Sequence, residues 1–152
     1  MATVIRPLTP ADRSAWEPLW ADYLAFYQAQ IPAAITDLTW QRFHDPQIPM
    51  HALGAFWDDR LVGIVQYLFH YSAWTSGPYG YLQDLFIIPD VRRHGVGRAL
   101  VEAVYAAALD AGASRVYWLT QETNTQARAL YDQIATCSGF IQYRKLFDER
   151  RA

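Results

Sequence analysis

The stretch Asp84-Leu85-Phe86-Ile87-Ile88-Pro89-Asp90-Val91-Arg92-Arg93-His94-Gly95-Val96-Gly97-Arg98-Ala99-Leu100 decides how this chain folds. Its first five residues read as the end of a strand, which Pro89-Asp90 terminates. Two glycines and two arginines fill the bend that follows. Val96, Leu100, Ala103, Val104, Ala107 and Ala111 then recur at helical spacing, and Gly112 supplies a C-cap. A strand that feeds a helix through such a bend is an anion site. The first-turn amides have no intrahelical acceptor, and the helix dipole favours negative charge beside them. Gly95 and Gly97 remove side chains from the approach of a phosphate. Arg92, Arg93 and Arg98 offer charge-assisted hydrogen bonds. A Walker loop needs Gly-Lys-Ser/Thr, which is absent, and a dinucleotide fingerprint needs a third glycine where Leu100 stands. What remains is a pyrophosphate carried by some other cofactor.

Working outward, the spacing predicts strands over residues 51–57, 61–71 and 79–88, the first two joined as a hairpin by Asp58-Asp59-Arg60. Residues 3–7 read as a further strand. Thr9-Pro10-Ala11-Asp12 opens a helix whose apolar stripe is Trp16, Leu19, Trp20, Tyr23, Leu24 and Tyr27. A second helix covers residues 35–44. Downstream, residues 115–120 are β-rich, Thr123 or Asn124 caps a helix to about residue 135, and residues 139–147 form the last strand. Hairpin-linked strands followed by a strand–helix–strand–helix–strand region predict an α/β domain, a mixed and mostly antiparallel sheet flanked by helices.

The bulk composition narrows the function. The chain has 152 residues, enough for one domain over 1–152, with 52% hydrophobic residues and a formal net charge of −2. That charge is no footprint of a nucleic-acid binder. No run approaches the roughly 18 apolar residues of a membrane span. Cys137 is the one cysteine, so no intrachain disulfide can form and a cytoplasmic setting is expected. Cys137 reads as a small buried residue without a catalytic partner. His44, His51, His70 and His94 match no metal spacing, so no metal is expected.

The bend has a specific likeness. Arg92-x-x-Gly95-x-Gly97 resembles the pyrophosphate loop of the GNAT acetyltransferases, Arg/Gln-x-x-Gly-x-Gly/Ala. Asn124-x-x-Ala127-x-x-Leu130-Tyr131 resembles that family's second motif, and Gly139-Phe140 its closing Gly-Phe. Trp20-x-x-Tyr23-x-x-Phe26-Tyr27, Trp40-x-Arg42-Phe43-x-Asp45-Pro46, Tyr81-Leu82-Gln83-Asp84-Leu85 and the run from Val116 to Asn124 extend the likeness across nearly the whole chain. They are similar to the small yeast histone/polyamine-type members and their bacterial relatives.

The resemblance implies the GNAT fold and transfer of an acetyl group from acetyl-CoA, a cosubstrate, directly to a primary amine. The acceptor it implies is a small molecule, polyamine or amino-acid-like. A protein lysine or N-terminus, and a CoA-binding sensor without catalysis, are the alternatives. It implies that the backbone of Leu85, Phe86 and Ile87 pairs with the pantetheine arm, that the amides of Arg93, His94, Gly95, Val96, Gly97 and Arg98 hold the pyrophosphate with Arg92 beside them, and that Asn124 contacts the cofactor. Tyr131 becomes the general acid for the leaving thiolate, a phenol with its ordinary pKa of about 10 being protonated at neutral pH.

Polyamine-acetylating relatives show Glu-Asp where this chain has Gln83-Asp84, and Gln83 cannot serve as a base. Asp84 is therefore the nearest ionisable candidate, as base, through water, or as partner of the substrate ammonium. Glu122 is a second. Tyr23, Phe26, Tyr27, Trp74, Tyr79 and Tyr81 are candidates to wall an acceptor pocket. A homodimer is expected, as relatives are commonly dimeric.

Overall fold

A computed structural model describes residues 2–147. It divides into two units, Met1–Leu119 and Thr120–Ala152.

The first unit carries the sheet. Strand β1 (Thr3–Pro7) leads through a short 3-10 turn at Pro10–Asp12 into helix α1 (Arg13–Phe26) and helix α2 (Ala33–Phe43). Strands β2 (Met50–Trp57), β3 (Arg60–His70) and β4 (Tyr79–Ile87) follow, then helix α3 (Val96–Asp110) and the short strand β5 (Arg115–Tyr117). The sheet order is β1-β2-β3-β4-β5. Neighbours from β1 to β4 are antiparallel, and β5 joins β4 in parallel.

At the start of α1 the chain is pinned by Asp12. Its carboxylate accepts from the Thr9 backbone N–H at 2.7 Å and from both terminal nitrogens of Arg6, at 2.8 and 3.0 Å. These bonds, that from Arg6 first, hold the Asp12 carboxyl well below the ordinary carboxylate range.

Residues 61–67 of β3 are buried without interruption, because helices cover both faces of the sheet. Gly63 turns toward α3, where an added Cβ would lie 2.8 Å from Ile87 Cδ1 and 3.1 Å from Leu100 Cδ1. The missing side chain is what lets the N-terminal end of α3 press against β3 and β4. Three positions on, Gln66 turns to the opposite face, toward α1. There Trp16 stacks with Trp20 at 5.9 Å and packs on Trp40 at 4.7 Å, joining α1 to α2.

The second unit holds helix α4 (Thr125–Ile134). Asn124 is its N-cap, its side chain accepting from the Ala127 N–H at 3.4 Å. Arg128 donates to the Glu122 carbonyl at 2.8 Å and tightens the same turn.

Three expectations are corrected. Residues 139–147 form no strand, and the β-rich run at 115–120 is a strand only over Arg115–Tyr117. The second unit contains no strand among its described residues, so the 139–147 backbone has no ladder to join there, and an extended segment cannot pair its own N–H and C=O groups. Phe140, Ile141, Tyr143 and Phe147 are accordingly exposed. Cys137, expected inside, is exposed. Among the described residues no helix is long and apolar enough to cross a membrane.

Candidate functional site

The site begins where β4 outruns β5. The parallel ladder pairs Tyr79 with Arg115, Gly80 with Val116 and Tyr81 with Tyr117, then stops. β4 continues from Leu82 to Ile87. Over that length the edge of β4 facing away from β3 is not paired by β5, and Leu85, Phe86 and Ile87 lie on it. An open edge of this kind offers its backbone groups to an extended ligand.

The same strand carries a bulge. Gln66 of β3 pairs with Asp84, and the next residue, Tyr67, pairs with Leu82, so Gln83 has no partner across the ladder. The extra residue changes which side chains share a face. Asp84 and Tyr81 stand opposite Gln66 and Leu68, two positions apart on β3, and therefore point the same way. His70, Tyr79 and Tyr117 join that face. Tyr81 stacks on Tyr117 at 5.0 Å, and His70 Nε2 lies 2.8 Å from the Tyr117 hydroxyl. The carbonyl of Tyr71, 2.7 Å from His70 Nδ1, can only accept, so Nδ1 carries the N–H that donates to it, and in the neutral ring Nε2 accepts from the Tyr117 hydroxyl. Burial, then the negative charge of Asp84, raises the Tyr81 phenol, and burial raises that of Tyr117.

Asp84 is half-buried. Its Oδ2 accepts from Gln66 Nε2 at 2.9 Å, and the Tyr23 phenol of α1 also bonds to the carboxylate. Burial raises the Asp84 carboxyl above the ordinary range, and the bonds from Gln66 and Tyr23 pull against it. No arginine, lysine or histidine forms an ion pair with Asp84 among the described residues.

Beyond β4, the turn Pro89–Val91 leads into the bend. Arg93 and Gly95 both hold positive φ, 68° and 80°. At Gly95, the N-cap of α3, that backbone is one few side chains tolerate, and a Cβ there would meet nothing within 4 Å. The bend thus leaves open space beside Gly95 at the start of α3. Val96 turns inward as core, 2% exposed. The arginines differ. Arg92 Nε donates to the Ile87 carbonyl at 3.0 Å with its guanidinium 5.7 Å from the Phe86 ring, so it ties the bend to β4. Arg98 pairs with Glu102 at 3.0 Å on the surface. His94 stands edge-on to Trp57 at 5.5 Å. Among the described residues no group of three or more His, Cys, Asp or Glu side chains could hold a metal.

The bend, the open edge of β4 and Asp84 belong to the first unit; Asn124 and Tyr131 belong to the second. On α4, Ala127, Leu130, Tyr131 and Ile134 form one part-buried stripe. Glu122 is exposed. Of the aromatic candidates, Tyr23, Tyr79 and Tyr81 gather near Asp84 or its face, whereas Phe26, Tyr27 and Trp74 are exposed. Sequence reasoning missed Gln66. Its one signal is a polar residue between the apolar runs Leu61-Val62-Gly63-Ile64-Val65 and Tyr67-Leu68-Phe69.

The fold has counterparts. The model of the Acetyltransferase (GNAT) family matches residues 13–135. The D-amino-acid N-acetyltransferase HPA3 of Saccharomyces cerevisiae is 32% identical over 144 residues, 93% of this chain and 89% of that one. The thialysine N-epsilon-acetyltransferase of Caenorhabditis elegans is 34% identical over 85 residues, 56% of this chain and 52% of that one. An aminoglycoside N-acetyltransferase, AAC(6')-Iy, solved in complex with CoA, superposes with a TM-score of 0.80 over 95% of both chains at 19% identity.

Proposed function

The chain belongs to the GNAT acetyltransferase family, and from that premise we propose that it moves the acetyl group of acetyl-CoA to the primary amine of a small molecule, polyamine or amino-acid-like. The observation that carries the reading is the open β4 edge running into a glycine-opened helix N-terminus, with an ionisable carboxylate in the same strand. The residues present fit the cosubstrate. The edge at Leu85, Phe86 and Ile87 suits an amide-bearing pantetheine arm. The amides of Arg93, His94, Gly95, Val96, Gly97 and Arg98 suit a pyrophosphate, with Arg92 and Asn124 supporting their own segments.

In this reading Asp84 receives the acceptor's ammonium and takes up its proton, directly or through water. The freed amine nitrogen forms the C–N bond as the thioester C–S bond breaks, Tyr131 gives its proton to the departing sulfur, and the second proton shed by the nitrogen leaves to water, from which the phenolate regains one. Positioning of the two reactants supplies much of the rate. Support for Asp84 is that no cation pairs with it among the described residues. Support for Tyr131 is its place in the Asn124–Tyr131 motif, and the family match, which runs across both units, supports one working domain over residues 1–152. The lone cysteine suits a cytoplasmic enzyme, and the exposed apolar run near Phe140 suits a homodimer.

Thiol release from acetyl-CoA, measured against amino acids, polyamines and a lysine peptide, tests the reading. Turnover is expected with a small amine. Asp84→Asn should lower kcat/KM for it by about 100-fold and leave coenzyme affinity in place. Turnover confined to the peptide would overturn the acceptor assignment.

A further inference from the structure

A donor-only group fixes the orientation of Gln66. The Trp16 indole N–H can donate and cannot accept, and it lies 2.9 Å from Gln66 Oε1. The Gln66 oxygen is therefore committed to Trp16, and its NH₂ must face Asp84, 2.9 Å from Oδ2. Had the amide turned over, an N–H would meet an N–H at Trp16 and an oxygen would face the carboxylate. Neither arrangement makes a bond. Trp16 has no exposed surface and Gln66 only 4%, so water cannot replace either partner readily. Gln66 is also the one buried polar or charged side chain of the core among the described residues.

Such a group is costly to bury unless each of its bonds is made, and here the bonds run in one direction, from Trp16 through Gln66 to Asp84. Among the described residues the titratable groups that face Asp84 are the phenols of Tyr23 from α1 and Tyr81 from β4. β3 presents the neutral amide of Gln66, and Tyr117 of β5 reaches this corner only through its stack with Tyr81. Among the described residues the carboxylate is thus met by neutral donors and by no cation.

We propose that Gln66, locked by Trp16, is a positioning residue that keeps Asp84 ionised and aims its carboxylate for the ammonium of the acceptor. This rests on the reading that Asp84 meets the acceptor amine. The Gln66 bond stabilises the charged carboxylate, so removing it favours the protonated form. Protonated Asp84 neither attracts an ammonium nor takes a proton from it. Activity toward the amine is then lost at a higher pH on the acid side.

The test is the pH profile of kcat/KM for the amine, with coenzyme affinity measured by calorimetry on the same preparations. Gln66→Met keeps the length of the chain and removes the donor. Its acid limb should move up by about one pH unit, roughly tenfold in rate at a fixed pH below the limb, with coenzyme affinity unchanged. Gln66→Glu keeps the shape and places a second carboxyl beside Asp84, so its limb should move further in the same direction. Asp84→Asn separates the two claims. If Asp84→Asn uses the amine as well as the wild type, the reading of Asp84 falls and this inference with it. If Asp84→Asn loses the amine while both folded Gln66 variants keep the wild-type limb, the inference alone is overturned.

Discussion

At the scale of single residues, both side chains assigned to proton transfer stand out in the sequence, whereas the residue that positions one of them does not. Tyr131 is visible in the motif from Asn124, and the structure puts it on the part-buried stripe of α4. Tyr131→Phe removes one hydroxyl and keeps the ring. The thiolate then leaves without a proton donor, so kcat should fall by about 10- to 100-fold while calorimetric coenzyme binding stays near that of the wild type. Wild-type kcat in this variant would remove Tyr131 from the chemistry. Asp84 was equally legible, because the neighbouring Gln83 cannot ionise. Gln66 was not. Its relation to Asp84 depends on a bulge at Gln83, and neither glycine nor proline marks that bulge. Periodicity alone would have placed Tyr81 and Asp84 on opposite faces of the strand.

At the scale of elements, most of the fold could be read in advance, since β1 to β4 and the four helices follow apolar spacing and punctuation. The failures are where spacing needs a partner from elsewhere. Residues 115–120 and 139–147 both have β-rich composition, yet only Arg115–Tyr117 finds a ladder. Local chemistry was more dependable at the start of α1. There Asp12 collects Arg6 and the Thr9 amide, and its side chain is 13% exposed against 41% for Arg6. Because Arg6 is partly screened by solvent, Asp12→Ala should cost about 1–2 kcal/mol in a urea melt. The sign with pH follows from the lowered carboxyl. The Asp12 contribution is complete above the unfolded-state pKa of about 3.9 and is lost as pH falls toward the lower folded value. The gap between wild type and variant should therefore close on acidification below about pH 4. A gap independent of pH would show that Asp12 acts without its charge.

At the scale of the whole molecule, a net charge of −2 offers little repulsion between copies. Phe140, Ile141, Tyr143 and Phe147 expose apolar surface within eight residues of chain, and such surface is costly to leave in water. Sedimentation velocity should show a dimer, and Ile141→Asp with Tyr143→Asp should shift it to monomer. A wild-type monomer at micromolar concentration would remove the proposed homodimer.

All six tryptophans, Trp16, Trp20, Trp40, Trp57, Trp74 and Trp118, lie in Met1–Leu119, and none in Thr120–Ala152. Indole emission excited at the red edge of the absorption band therefore originates from the sheet-bearing unit alone. Far-ultraviolet ellipticity also sums over α4. A denaturation followed by both signals carries an internal clock. Coincident curves mean that the C-terminal helix melts together with the sheet, and an ellipticity change that runs ahead of the emission dates its earlier release without any label.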